Sequence, residues 1–227
     1  MISRIHNALI ARSDEEKKIV LPRFFKTGKG QYGEGDKFLG VTVPNIREVA
    51  KGFKDVNFDV IKELIHSPWH EMRMCALLIL VNNSKKEVTK DTFDFYLSQT
   101  KHINNWDLVD LSAPQIVGQF LLNKDRDILY KLAESDLLWD NRIAIVSTLT
   151  FIRNNDLDDT YRLSLKMMYH KHDLMHKAIG WMLREAGKRD AKRLYDFVMA
   201  NKSIMPRTML RYSIEKFDIE TRKELMR

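Results

Sequence analysis

The chain has 227 residues, 30% of them charged and 44% apolar, which is enough apolar matter for one continuous core in a soluble protein. Lys and Arg number 38 against 31 Asp and Glu, a net charge of +7, and no run of 18 uncharged apolar residues occurs. No spanning helix is therefore expected, the N-terminal MISRIHNALIARSDEEKK lacks the uninterrupted apolar centre of a signal peptide, an intracellular, cytoplasmic protein is expected, and the lone Cys75 excludes an internal disulfide and reads as a small buried hydrophobe.

Nine glycines and five prolines among abundant Leu, Lys, Ile and Met favour helix nearly everywhere. Residues 2–20 read as one or two amphipathic helices, with Ser13 as a cap for the segment DEEKKIV. TGKGQYGEGDKFLG follows, a flexible glycine-rich loop over 28–40 whose Lys26, Lys29 and Lys37 are surface groups within reach of phosphates. It fails as a P-loop, because no Lys-Ser/Thr pair follows its glycines. Pro44 then opens a helix at PNIREVAKGF.

From residue 53 the chain repeats. Segments 57–66 and 68–82, 88–99 and 104–120, 125–135 and 139–154, 158–169 and 173–189, and 190–200 and 206–216 read as five helix pairs. Aligning the second helices brings Arg73, Asp107, Arg142 and Lys177 into register with a period near 35, and Arg207 follows after a shorter repeat. Such a period predicts an all-α protein, an α-solenoid or superhelix of HEAT-like (armadillo-like) repeats, in which each pair buries its apolar face against its neighbours. No linker divides the chain, so 1–227 is expected to form a single domain, with 1–52 as N-terminal helices and 53–227 as the repeats.

Charge is uneven along this frame. Residues 53–170 hold 14 bases and 17 acids, residues 171–227 hold 14 and 8, and residues 1–52 hold 10 and 6. A basic surface flanking a mildly acidic centre suits a polyanion lying across the protein, although a modest positive excess also describes an ordinary solvated surface. Arg73, Arg142, Lys177 and Arg207 each open the second helix of their pair, against the helix macrodipole, which suggests a row of cations along one edge. Trp69, Trp139 and Trp181 lie near these bases, and cations alternating with flat apolar faces are what a nucleic-acid groove needs. Each Trp taken alone reads as core.

Near the middle, HINNWDLVDLSAP places Trp106 and Asp110 four residues apart, side by side on a helix that Asn104 or Asn105 would cap. Alone, this stretch has a purely structural reading, since buried Trp and early-helix Asp are ordinary. Together with LWDNRIAI (138–145) and HKAIGWMLREAGK (176–188), in this order and at these separations, NNWDLVD resembles the AlkD-type family of DNA alkylation repair glycosylases over roughly residues 38–217. The resemblance implies a HEAT-like solenoid that excises cationic N3- and N7-alkylated purines from duplex DNA without flipping the base. It implies Trp106 and Trp181 against the lesion deoxyribose, Asp110 as the catalytic carboxylate and Arg142 on the DNA backbone, and the 35-residue register predicts that the four converge on the concave surface of a right-handed stack of helix pairs, with Lys177, Arg184 and Lys188 nearby.

Two positions depart from the family pattern. Asn105 stands where a second aromatic usually precedes the Trp, and the family's N-terminal tyrosine has Phe24 or Phe25 as its nearest counterparts. The expected partner is double-stranded DNA carrying alkylated bases, the expected state a monomer, and no cofactor or membrane is implied. His170, His172 and His176 lack the companions of a metal site, and no GxSxG elbow or activated thiol offers a nucleophile. The competing reading is a non-catalytic solenoid that binds DNA or a protein through the same basic groove. Such a binder has no need of a carboxylate among its cations.

Overall fold

The computed structural model describes all 227 residues, and every regular element is a helix. Its chain contacts form two compact units, residues 1–112 and 113–227.

The first unit holds α1 (Ile2–Ile10), α2 (Glu15–Phe24), α3 (Val43–Lys51), α4 (Phe58–Ile65), α5 (His70–Asn83), α6 (Lys90–Ser98) and α7 (Trp106–Ala113). The centre is α5, on which α1, α3 and α4 pack. Residues 70–80 are buried without a break, because HEMRMCALLIL is apolar on nearly every face. Ile5 and Leu9, four apart on α1, are fully enclosed, each contributing about 1.5–3 kcal/mol by leaving water. The cap of α2 is Asp14, not Ser13: its carboxylate accepts from the Lys17 amide at 3.1 Å. Cys75 is buried in α5, and burial pushes its thiol up to about 12, so it is no nucleophile.

The second unit holds α8 (Asp127–Ala133), α9 (Leu138–Arg153), α10 (Asp158–Lys166), α11 (Asp173–Gly187), α12 (Ala191–Asn201), α13 (Arg207–Ser213) and α14 (Ile219–Met226). Within it α9 packs on α8, α10 and α11, and α11 packs on α12 and α13. This is the predicted alternation of first and second helices, with ends that shift by a few residues. The stretch expected as one helix over 104–120 ends its α-helical part at Ala113. Pro114 has no N–H for the usual i−4 bond, so Pro114–Gly118 form a π turn before a last helical turn at Gln119–Leu121. The terminal helix α14, capped by Asp218, lies beyond the predicted repeats.

Gly180 explains itself through packing. A glycine inside a helix costs about 1 kcal/mol relative to alanine, but a Cβ here would lie 2.5 Å from the Tyr212 Cβ and 2.7 Å from the Met209 carbonyl of α13. Gly180→Ala is therefore expected to lower stability by about 1–3 kcal/mol despite its better helix propensity. Denaturant unfolding would show it as a lower midpoint, and an unchanged or raised midpoint would mean that α13 gives way freely.

No helix is long and apolar enough to cross a membrane.

Candidate nucleic-acid interface and active site

In the first unit the site grows from the start of α7. Asn105 is fully buried, and its side-chain oxygen accepts from the amide of Trp106, the first residue of the helix, at 2.8 Å. Asn104 does something else: its Nδ2 donates to Asp36 at 3.0 Å. Trp106 is half-buried, as is Asp110, one helical turn further along the same face.

Behind Trp106 lies an aromatic stack. Phe25 is stacked on Trp106 at 5.5 Å and on Phe38 at 5.1 Å, and Phe24 meets Trp106 edge-on at 6.0 Å. Phe25 is buried while Phe24 is 59% exposed, so one ring supports the indole and the other stands beside it in solvent. Both residues flagged as counterparts of an N-terminal aromatic thus reach Trp106.

Under the stack sits a buried ionic cluster that the sequence did not reveal. His70 opens α5 with Nε2 2.8 Å from Asp107 Oδ2 and Nδ1 3.3 Å from Asp36 Oδ2. Arg73 Nη2 lies 2.7 Å from Asp36 Oδ1, and its Nη1 donates to the Ser67 carbonyl at 2.8 Å. Burial by itself pushes His70 down, yet the charge and hydrogen bond of Asp107 and the hydrogen bond to Asp36 outweigh it and raise the imidazole to about 9. Burial likewise pushes Asp36 up, but His70, Arg73 and Asn104 hold its carboxyl below the usual range. At neutral pH His70 is an imidazolium between two carboxylates.

The glycine-rich segment delivers Asp36. It is a run of turns bonded internally, with Gly33 N donating to the Lys26 carbonyl at 3.2 Å and Gly30 N to Glu34 at 2.7 Å. Its far end is fastened to α5: Lys37 N donates to the Pro68 carbonyl and His70 N to the Lys37 carbonyl. The loop expected to be flexible is therefore tied at its base. Lys26, Lys29 and Lys37 remain exposed.

The second unit carries Trp181 on α11. It is half-buried and lines a crevice of about 450 Å³ with Leu149, Ile152, Arg153, Glu185, Lys188 and Arg189. Arg153 and Arg189 escaped the sequence reading, although both lie within nine residues of the motifs around α9 and α11. A larger crevice of about 610 Å³ opens on α8 and α10, but its Arg126 is paired with Asp156 and Asp159 and none of the predicted residues lines it.

The predicted row of cations divides by exposure. Arg73 is 4% exposed and held by Asp36, and Arg142 is 5% exposed with Nη1 donating to the Leu174 carbonyl at 2.8 Å. Neither guanidinium is presented to solvent, because each is covered and held by a partner from another segment, Asp36 for Arg73 and the Leu174 carbonyl for Arg142. Lys177 is half-exposed and pairs with Asp173 at 2.7 Å, and Arg184 pairs with Glu215. Lys188 is exposed beside Glu185, and Arg207 is exposed with Nη1 donating to the Met226 carbonyl at 3.2 Å. Trp139 is buried core. The three histidines near α11 hydrogen-bond locally: His170 to Asn141, His172 to the Leu174 amide, and His176 to the His170 carbonyl.

Helix pairs repeated along an all-α chain define a helical-repeat protein. The chain belongs to the DNA alkylation repair enzyme family, whose model matches residues 5–217. A protein described as a predicted DNA alkylation repair enzyme from Enterococcus faecalis superimposes with a TM-score of 0.75 at 14% identity, covering 92% of this chain and 98% of that one. A member of a family related to the HEAT-like repeat DNA glycosylases, with affinity for branched DNA structures, gives a TM-score of 0.64 at 15% identity, covering 99% and 93%. At these identities the likeness establishes the fold, that of the HEAT-like repeat DNA glycosylases. No curated protein sequence matches the chain.

Proposed function

We propose that the protein is a DNA glycosylase that hydrolyses the N-glycosidic bond of cationic N3- and N7-alkylated purines in duplex DNA. The observation that carries this reading is the half-buried Trp106, backed by Phe25 and flanked by Phe24, one turn from Asp110 in a chain of this family. An alkylated purine of this kind already bears a positive charge. It leaves as a neutral base, taking the electrons of the C1′–N bond, without prior protonation. The sugar left behind resembles an oxocarbenium ion. The Asp110 carboxylate stabilises that cation and orients a water, whose oxygen bonds to C1′ while its proton passes to solvent. The indole face of Trp106 adds the attraction of a π system for positive charge. No second acid is needed, and no base flipping, since the chemistry takes place at the sugar.

The test is a duplex containing N7-methylguanine, incubated with excess protein and assayed for released base. Release above the spontaneous rate is expected, and none would sink the reading.

The Trp181 crevice fits the phosphodiester backbone, with Arg153, Lys188 and Arg189 around an indole. Lys188→Ala and Arg189→Ala are each expected to weaken duplex binding and to lower its salt dependence by about one unit of slope. Equal slopes in parent and variants would move the DNA track off this crevice.

A second reading, non-catalytic binding of DNA, draws on the relative with affinity for branched DNA and on Asn105 in place of an aromatic. It predicts tighter binding to a four-way junction than to a linear duplex, with no base released from either.

A further inference from the structure

We propose that His70, held between Asp36 and Asp107, is the positioning residue of the Trp106 site, and that the glycine-rich segment exists to bring Asp36 to it. The proposal rests on the glycosylase reading for its purpose, but its geometry stands in the first unit alone.

Three connections run from His70 to Trp106. Through Nε2 it holds Asp107, the residue directly after Trp106, so the first turn of α7 is tethered to the first residue of α5. The Phe25 ring lies 4.9 Å from the imidazole and 5.5 Å from the indole, so the ring that supports Trp106 rests on His70. Phe38 stacks on the imidazole at 4.8 Å and on Phe25, closing the group. A shift of His70 therefore moves both the backbone and the packing surface of Trp106.

The charge state decides whether the clamp closes. Both ring nitrogens face carboxylate oxygens, and an imidazolium alone has an N–H for each. The groups facing it are Asp36 from the glycine-rich segment, Asp107 from α7 and Arg73 from α5. Glu71, also on α5, is turned to the amides of Leu39, Gly40 and Val41. With His70 protonated, two cations meet two carboxylates. Without that proton, one carboxylate faces a nitrogen lone pair in a buried site, where an unpaired charge is costly. Since the value of about 9 lies above the ordinary 6.5, the stability that the clamp contributes is fully present below about pH 6.5, and the clamp itself is lost as pH rises through about 9.

The experiment is fluorine NMR on the full chain labelled with 5-fluorotryptophan, whose four indoles are assigned by single Trp→Phe substitutions. The Trp106 resonance is expected to move between pH 7 and 10 with a midpoint near 9, in protein that circular dichroism shows to be folded. In Asp36→Asn the midpoint is expected to fall by about one unit or more, because a neighbouring opposite charge is removed. A Trp106 resonance that stays flat over this range, or an identical midpoint in Asp36→Asn, overturns the proposal. Should the variant fail to fold, the parent titration decides by itself. A parent that releases no base but whose Trp106 resonance titrates refutes the glycosylase reading and leaves the clamp standing.

Discussion

Asp110→Asn is expected to cut single-turnover excision of N7-methylguanine roughly 100- to 1000-fold, the effect of losing one preorganised electrostatic partner worth about 2.7–4 kcal/mol in the barrier. Asn keeps the shape of Asp at the half-buried place on α7, so the fold is expected to stay intact. On the proposed glycosylase mechanism, what goes is the negative charge that faces the developing sugar cation. Duplex affinity is expected to stay level or rise slightly, since removing an anion relieves repulsion of phosphates. The two measurements are excision with protein in excess and duplex affinity at fixed salt. Excision equal to that of the parent would make Asp110 an ordinary helix residue, and a parallel loss of affinity would point to damage in the fold.

The helix pairs were legible because their signals are local. Apolar residues recur with helical spacing, Pro44 opens one helix, and a period near 35 exposes the repeat. Where local signals compete, the reading slipped by a residue or an element: Asp14 outranks Ser13 as a cap, and Pro114 turns a long helix into a π turn. The helix α14 has its signal in Asp218, whose side chain accepts from the Thr221 amide, but it falls outside the 35-residue repeat.

The site was legible to the same depth. Trp106 and Asp110 share a helix face, so their adjacency follows from spacing alone. His70, Asp36 and Asp107 are 34 and 37 residues apart and meet through tertiary packing, which no period encodes. Arg73 and Arg142 show the other limit. A cation in a first helical turn is visible in sequence, but whether it turns outward to a phosphate or inward to a carboxylate or carbonyl depends on what packs over it. Arg73 turned inward because the glycine-rich segment sets Asp36 above it.

That segment is also anchored by Glu71, and Glu71→Ala is expected to be the most destabilising single change outside the apolar core. Glu71 is 1% exposed, and its carboxylate accepts three amides, Leu39 at 2.8 Å, Gly40 at 2.9 Å and Val41 at 3.1 Å. Truncation leaves three N–H groups, all on buried residues, without acceptors. Each such loss costs about 1–3 kcal/mol, so at least about 3 kcal/mol is expected in total. For a chain of this size that is a fall in melting temperature of about 6–12 °C. Glu71→Gln is expected to lose less, because its carbonyl oxygen still serves Gly40 and Val41 while its amide opposes Leu39 N–H. Hydrogen exchange at Leu39, Gly40 and Val41 is expected to quicken in Glu71→Ala ahead of the amides of α5. A melting temperature within 2 °C of the parent, or exchange that quickens evenly across the first unit, would show that this carboxylate does not hold the segment in place.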